Sequence, residues 1–124
     1  MYRIMKLEAD MAAVFKKKYG FKESLSVFGA CDERGFLAFC YYDETKDPAE
    51  IVGFTVIDKT EEEYWVENLV RAVINALELS GKLYCVYKGD AYARRFIACR
   101  FKDEDGVKKA DLKKIFSSGG HCHD

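Results

Sequence analysis

Side chains able to do chemistry are few in this 124-residue chain, and they gather in two places. At the C-terminal end His121, Cys122, His123 and Asp124 bring two imidazoles, a thiol and carboxylates together, a borderline-soft set of the kind that holds zinc. Adjacent ligands behind Ser117-Ser118-Gly119-Gly120 do not preform a tetrahedron, and no second ligand pair stands at a customary spacing. The expectation is a tail over residues 117–124 that is flexible and takes up metal only adventitiously, with no built metal site. The second place is an acidic run, Glu61-Glu62-Glu63, just after Asp58 and Thr60. Thr60 with Glu63 three positions later predicts a capping box, the hydroxyl accepting from the Glu63 amide while the carboxylate reaches back to the Thr60 amide. Three carboxylates then occupy the positive end of a helix dipole, where an anion would otherwise sit. The remaining cysteines, Cys31, Cys40, Cys85 and Cys99, lie in apolar or periodic segments without C-x-x-C spacing, and no His precedes the tail to activate one. They are expected as reduced core residues.

The acidic run belongs to a longer unit that must position it. IVGFTVI (residues 51–57) and LYCVY (residues 83–87) are too short for typical helices and rich in Val, Ile and aromatics, so they predict strands. Between them Trp65, Val66, Leu69, Val70, Val73, Ile74 and Leu77 recur as a broad apolar stripe, with Glu67, Asn68, Arg71, Asn75 and Glu78 on the polar face. Glu67 and Arg71 form an i, i+4 pair, and Gly81 ends the helix. Strand, helix and strand make a crossover whose parallel strands need sheet neighbours and covering layers.

The rest of the chain supplies them. Residues 2–6 predict a short strand, and Met11, Val14, Phe15 and Tyr19 predict a helix from Asp10 that is capped at both ends, with Gly20 just past it. Two β-prone runs, residues 24–31 and 36–42, flank Asp32-Glu33-Arg34-Gly35 as a hairpin. The second run, FLAFCYY, has no polar face and is expected inside the sheet with both faces covered. Downstream, Asp90 predicts the N-cap of a short helix carrying Tyr92, Phe96, Ile97 and Cys99, followed by a turn at residues 103–106, a weak strand at 107–111 and a closing segment to 116. The result is one α/β domain over residues 1–116, a mixed central β-sheet flanked by helices.

Composition narrows the function. Hydrophobic residues at 49% and aromatics at 15% are globular values, and 20 basic against 21 acidic side chains leave no field that would recruit nucleic acid or an anionic membrane. No apolar run reaches the length of a spanning helix and no signal-peptide pattern opens the chain, so a cytoplasmic protein is expected. Plentiful aromatics make a homodimer an expectation as well.

The order of elements, the stretch LVRAVINALELSGKLYCVY and above all GDAYARRFIACRFKDEDGV (residues 89–107) resemble the second half of the GCN5-related N-acetyltransferase (GNAT) superfamily. The resemblance implies an acyl-CoA N-acyltransferase fold, acetyl-CoA or CoA as cofactor if the chain is active, and a small-molecule or protein amine as substrate. In that family a Q/R-x-x-G-x-G/A loop holds the cofactor's pyrophosphate, and counting back from Gly81 its marked positions are Glu61, Tyr64 and Val66. An acid stands for the cationic or amide residue, and bulk stands where glycine would give access. The family's Gly-Phe corresponds to Arg100-Phe101, which puts Phe96 where the general-acid Tyr belongs; Tyr92, one turn earlier, is the substitute, and Asp58 is the candidate base toward an amine. Cofactor contacts would then come from the end of the strand and the helix start, at Val56, Ile57, Tyr64, Trp65 and Val66. Two functions compete: a non-catalytic binding or assembly module on a GNAT-like scaffold, which is favoured, and a divergent acetyl-CoA-dependent N-acetyltransferase.

Overall fold

The structure is a computed structural model and describes residues 1–121, with side chains through residue 116. Its seven strands are β1 (Arg3–Lys6), β2 (Ser26–Asp32), β3 (Gly35–Asp43), β4 (Ala49–Val56), β5 (Tyr84–Tyr87), β6 (Lys102–Glu104) and β7 (Val107–Asp111). The helices are α1 (Ala9–Tyr19), α2 (Glu62–Leu79), α3 (Ala93–Ala98) and α4 (Leu112–His121). All strands form one sheet in the order β1-β2-β3-β4-β5-β7-β6. β4 and β5 are parallel and every other pair is antiparallel. The predicted crossover is therefore present, with α2 as its helix.

β3 is the reason the sheet has two cores. Its run from Leu37 to Tyr42 is buried throughout, because successive side chains point to opposite faces and both faces are covered. Phe39 and Tyr41 join Leu7, Ala12, Leu25 and Val27 beneath α1. Ala38, Cys40 and Tyr42 join the stripe of α2 on the other face. That stripe is the one read from spacing: Trp65, Val66, Leu69, Val70, Val73, Ile74 and Leu77 are all buried. Beneath α1 the Phe21 ring stacks on Tyr41 with centroids 3.6 Å apart. Gly53 of β4 makes room for it, since a Cβ there would lie 3.2 Å from the Phe21 ring.

Helix ends account for most departures from expectation. α1 closes on Gly20 in the left-handed region as read, but its N-cap is Glu8 and carries no side-chain cap. α2 ends with the Lys82 amide donating to the Leu77 carbonyl at 2.9 Å across Gly81, whose φ is 92°, a close that a left-handed glycine makes without strain. The capping box is not formed. A single 3₁₀ turn, Lys59–Glu61, precedes α2, so Thr60 lies inside that turn and Asp58 is its cap. Asp90 does not cap α3 either; Tyr92 holds that place with a φ of 61°. The closing segment is more structured than expected. β6 pairs with β7 as a hairpin around Asp105 and Gly106, and α4 runs from Leu112 through His121. The expected tail thus begins within α4, and Cys122, His123 and Asp124, with the metal reading of that tail, lie outside the described residues.

Candidate functional site

β4 and β5 are joined by only three rungs, Ala49 to Cys85, Glu50 to Val86 and Ile51 to Tyr87. Beyond Ile51, β4 runs on to Val56 paired with β3 alone, while β5 ends at Tyr87. On the β5 side the backbone of residues 52–56 is therefore an unpaired edge among the described residues, at the mouth of a wedge in the sheet. Aromatic rings fill the wedge near its apex. Tyr87 stacks on Phe96 at 4.0 Å with the planes 6° apart. Phe54 meets Tyr87, Phe96 and Tyr92 edge-on at 6.2, 6.0 and 5.4 Å. Gly89 follows β5 because a Cβ there would lie 2.7 Å from the Tyr87 hydroxyl.

The start of α2 stands above this wedge. Asp58 Oδ1 accepts from the Thr60 hydroxyl at 2.6 Å and from its amide at 3.3 Å, and Oδ2 accepts from the Trp65 indole N–H at 3.0 Å. The Thr60 and Trp65 hydrogen bonds hold the Asp58 carboxyl below its ordinary range, which makes it a weaker base. Next to it a cavity of about 740 Å³ is lined by residues 59–64 and Tyr92. Its charged lining is one lysine and three glutamates.

Tyr92, the N-cap of α3, and Arg95 within that helix clasp the acidic start. The Tyr92 hydroxyl donates to Glu62 Oε2. Burial first, and then the Glu62 carboxylate, push this phenol up to about 12. Arg95 lies with Nε 3.3 Å from Glu63 Oε1 and Nη1 3.2 Å from Glu67 Oε1. Glu67 also receives Arg71 at 3.0 Å. At the helix start itself Glu63 is thus paired with a cation, Arg95, and Glu62 with a neutral hydroxyl, while among the described residues no ion pair includes Glu61.

Of the residues named from the sequence for catalysis or cofactor contact, the cavity takes Tyr64 and Tyr92, beside the acidic run and Thr60. Trp65, Val66 and Val56 are core residues, 5%, 0% and 7% exposed, and offer a ligand no more than backbone. Ile57 is half exposed, and its amide is committed to the Leu37 carbonyl at 2.8 Å. Tyr64 turns toward β1, its hydroxyl 2.6 Å from that of Tyr2. Phe96, standing at the family's acid position, is fully buried. Arg100, at the family's glycine, has a φ of 71°, the conformation for which glycine is suited. Sequence reading missed Arg95, Phe54 and Tyr2. Arg95 lies one turn beyond Tyr92 on the same short helix, which was the available signal; its partners on α2 are 28 or more residues away, beyond any local pattern.

A mixed sheet that opens between two parallel strands, with the crossover helix starting above the opening, is the acyl-CoA N-acyltransferase fold of the GNAT acetyltransferases. No protein-family model matches the chain, and no curated protein matches its sequence. Solved structures do. A GNAT family acetyltransferase from Brucella melitensis in complex with acetyl-CoA superposes with a TM-score of 0.62 at 15% identity, over 90% of this chain and 88% of that one. An acetyltransferase from Exiguobacterium gives 0.67 at 12% identity, over 96% and 98%. The spermidine/spermine N-acetyltransferase SpeG of Vibrio cholerae, in mutant forms, gives 0.68 at 10% identity, over 95% and 99%. At these identities the likeness establishes the fold. Among the described residues no helix is long and apolar enough to cross a membrane.

Proposed function

We propose that this chain is a GNAT-fold binding module that does not carry out acetyl-CoA chemistry. The observation that carries this reading is the clasped acidic start of α2, where Glu62 holds the Tyr92 hydroxyl and Glu63 and Glu67 hold Arg95. Phosphates approaching that helix end meet three carboxylates, and like charges near a protein surface cost on the order of 1 kcal/mol or more per pair. A tyrosine whose proton is held by Glu62, and whose affinity for it is raised, is also a poor donor to a departing thiolate.

A second reading is favoured by the unpaired edge of residues 52–56. Its free N–H and C=O groups can take an extended, amide-bearing chain as an added strand, and the arm of acetyl-CoA is such a chain. In that case the chain is a divergent N-acetyltransferase acting on a small-molecule or protein amine. Tyr92 would have to leave Glu62 to serve it, and the backbone around Val56 and Ile57 would meet the cofactor.

Thermal denaturation with CoA and acetyl-CoA separates the two. A cofactor present at a hundredfold excess over its Kd stabilises the native state by about 2.7 kcal/mol. The module reading expects no shift at millimolar ligand, and a saturable rise in Tm overturns it in favour of the enzyme.

A further inference from the structure

We propose that the groove where β5, β7 and β6 meet the first turn of α4 binds a phosphorylated small molecule. Lys102 of β6 stands directly opposite Lys109 of β7 in the antiparallel ladder, a placement in which like charges destabilise a strand pair. The adjacent rung has the usual remedy: Asp103 stands opposite Lys108, and the two charges meet at 3.2 Å. Strand alternation puts Lys102 and Lys109 on the other face of the hairpin. There, among the described residues, no ion pair includes either lysine.

The groove gives those charges a purpose. Lys109 Nζ is held over the Tyr84 ring, 4.6 Å from its centroid. With Lys102, Arg100 and Lys114 it lines a cavity of about 300 Å³ whose acidic members are Glu104 and Asp111. Asp111 is partly committed already, since its Oδ1 accepts from the Lys114 amide at 3.1 Å and caps α4. Four cations therefore face two carboxylates in a concave space. Arg100 adds an independent sign. Its φ of 71° is one that glycine takes freely and a side-chain-bearing residue takes at a cost, yet the residue there is an arginine, and it lines the cavity. A planar guanidinium grips phosphate oxygens in pairs while lysines add point charge. The volume is at the small end of small-molecule sites, roughly 300 to 1,000 Å³, which suits a phosphate or pyrophosphate group on a compact ligand. The groove lies on the far strands, apart from the acidic start of α2, and stands or falls independently of how that site is read.

Isothermal titration of the full chain with inorganic pyrophosphate at low ionic strength tests this. Binding is expected, and both Lys102→Gln/Lys109→Gln and Arg100→Gly should weaken it by roughly tenfold or more, about 1.4 kcal/mol. Without ligand Arg100→Gly, relieved of a strained φ, should melt at or above the wild-type temperature, and Lys102→Gln/Lys109→Gln, which gives up both the repulsion and the Lys109–Tyr84 contact, should keep one cooperative transition, so weakened binding cannot be ascribed to a damaged fold. Lys17→Gln/Lys18→Gln on α1 makes the same change in net charge and should bind as wild type does. The proposal is overturned by no heat at about 1 mM pyrophosphate, by equal affinity in wild type and both groove variants, or by an equal loss in the α1 variant.

Discussion

The Tyr92 hydroxyl and the Glu62 carboxylate form the link on which the reading of the α2 start depends, and its electrostatics can be tested. The phenol is raised from an ordinary value of 10.0 to about 12 in the folded protein. The unfolded chain therefore gives up this proton first as pH rises, and the native state binds more protons in that interval. Its contribution to stability is complete below about pH 10 and disappears as pH climbs to about 12. Tyr92→Phe removes the titrating group, so Tm plotted against pH over this interval should fall less steeply in the variant than in wild type. At neutral pH the same variant should lose on the order of 1.5 to 3 kcal/mol, the worth of a hydrogen bond to a charged group, less whatever water restores at this partly open site. Relief from a left-handed φ is not part of the change, because Phe inherits the same backbone position.

α2 shows what a local pattern can and cannot convey. Its stripe was fully legible, because a helix with one covered face repeats its apolar residues at a fixed period. Leu69 is fully buried in it, and Leu69→Ala should cost about 2 to 5 kcal/mol by chemical denaturation, with the spread set by how far the site collapses. Its end was legible too, in Gly81. Its start was not. Thr60 and Glu63 have the spacing of a capping box, but Asp58, two residues earlier, offers Thr60 a charged acceptor and can also reach the Trp65 indole. The choice between neighbouring caps was decided by Asp58, whose second oxygen takes the Trp65 indole seven residues on, a pairing that the capping-box spacing does not include. α3 repeats the lesson: Asp90 has the right type for an N-cap, yet the Glu62 carboxylate on another helix draws Tyr92 into that place. For the same reason the residues named for the site divide into Tyr64 and Tyr92, which reach the cavity, and Val56, Trp65 and Val66, whose apolar character already belonged to the core.

At the scale of the molecule, β3 is the strand everything else leans on. It is paired on both sides and covered on both faces, so its amides open only when the whole domain does. Hydrogen exchange should find them the slowest in the protein, with protection equal to the global stability, while β6, three exposed residues at the margin of the sheet, should exchange by local fraying. Both margins of the sheet are short and charged, β1 and β6, an arrangement that discourages strands of other chains from adding on. The junction between β4 and β5 sets a different limit. Three rungs connect a four-stranded leaf, β1 to β4, with a three-stranded one, β5, β7 and β6. α2 packs against β1 to β4 on one side and against α3 and α4 on the other, so it works as the bolt across a seam. Under tension applied between the first strand and the last helix, the molecule should part along that seam, the two leaves separating as α2 slides free and each keeping its own hydrogen-bonded ladder.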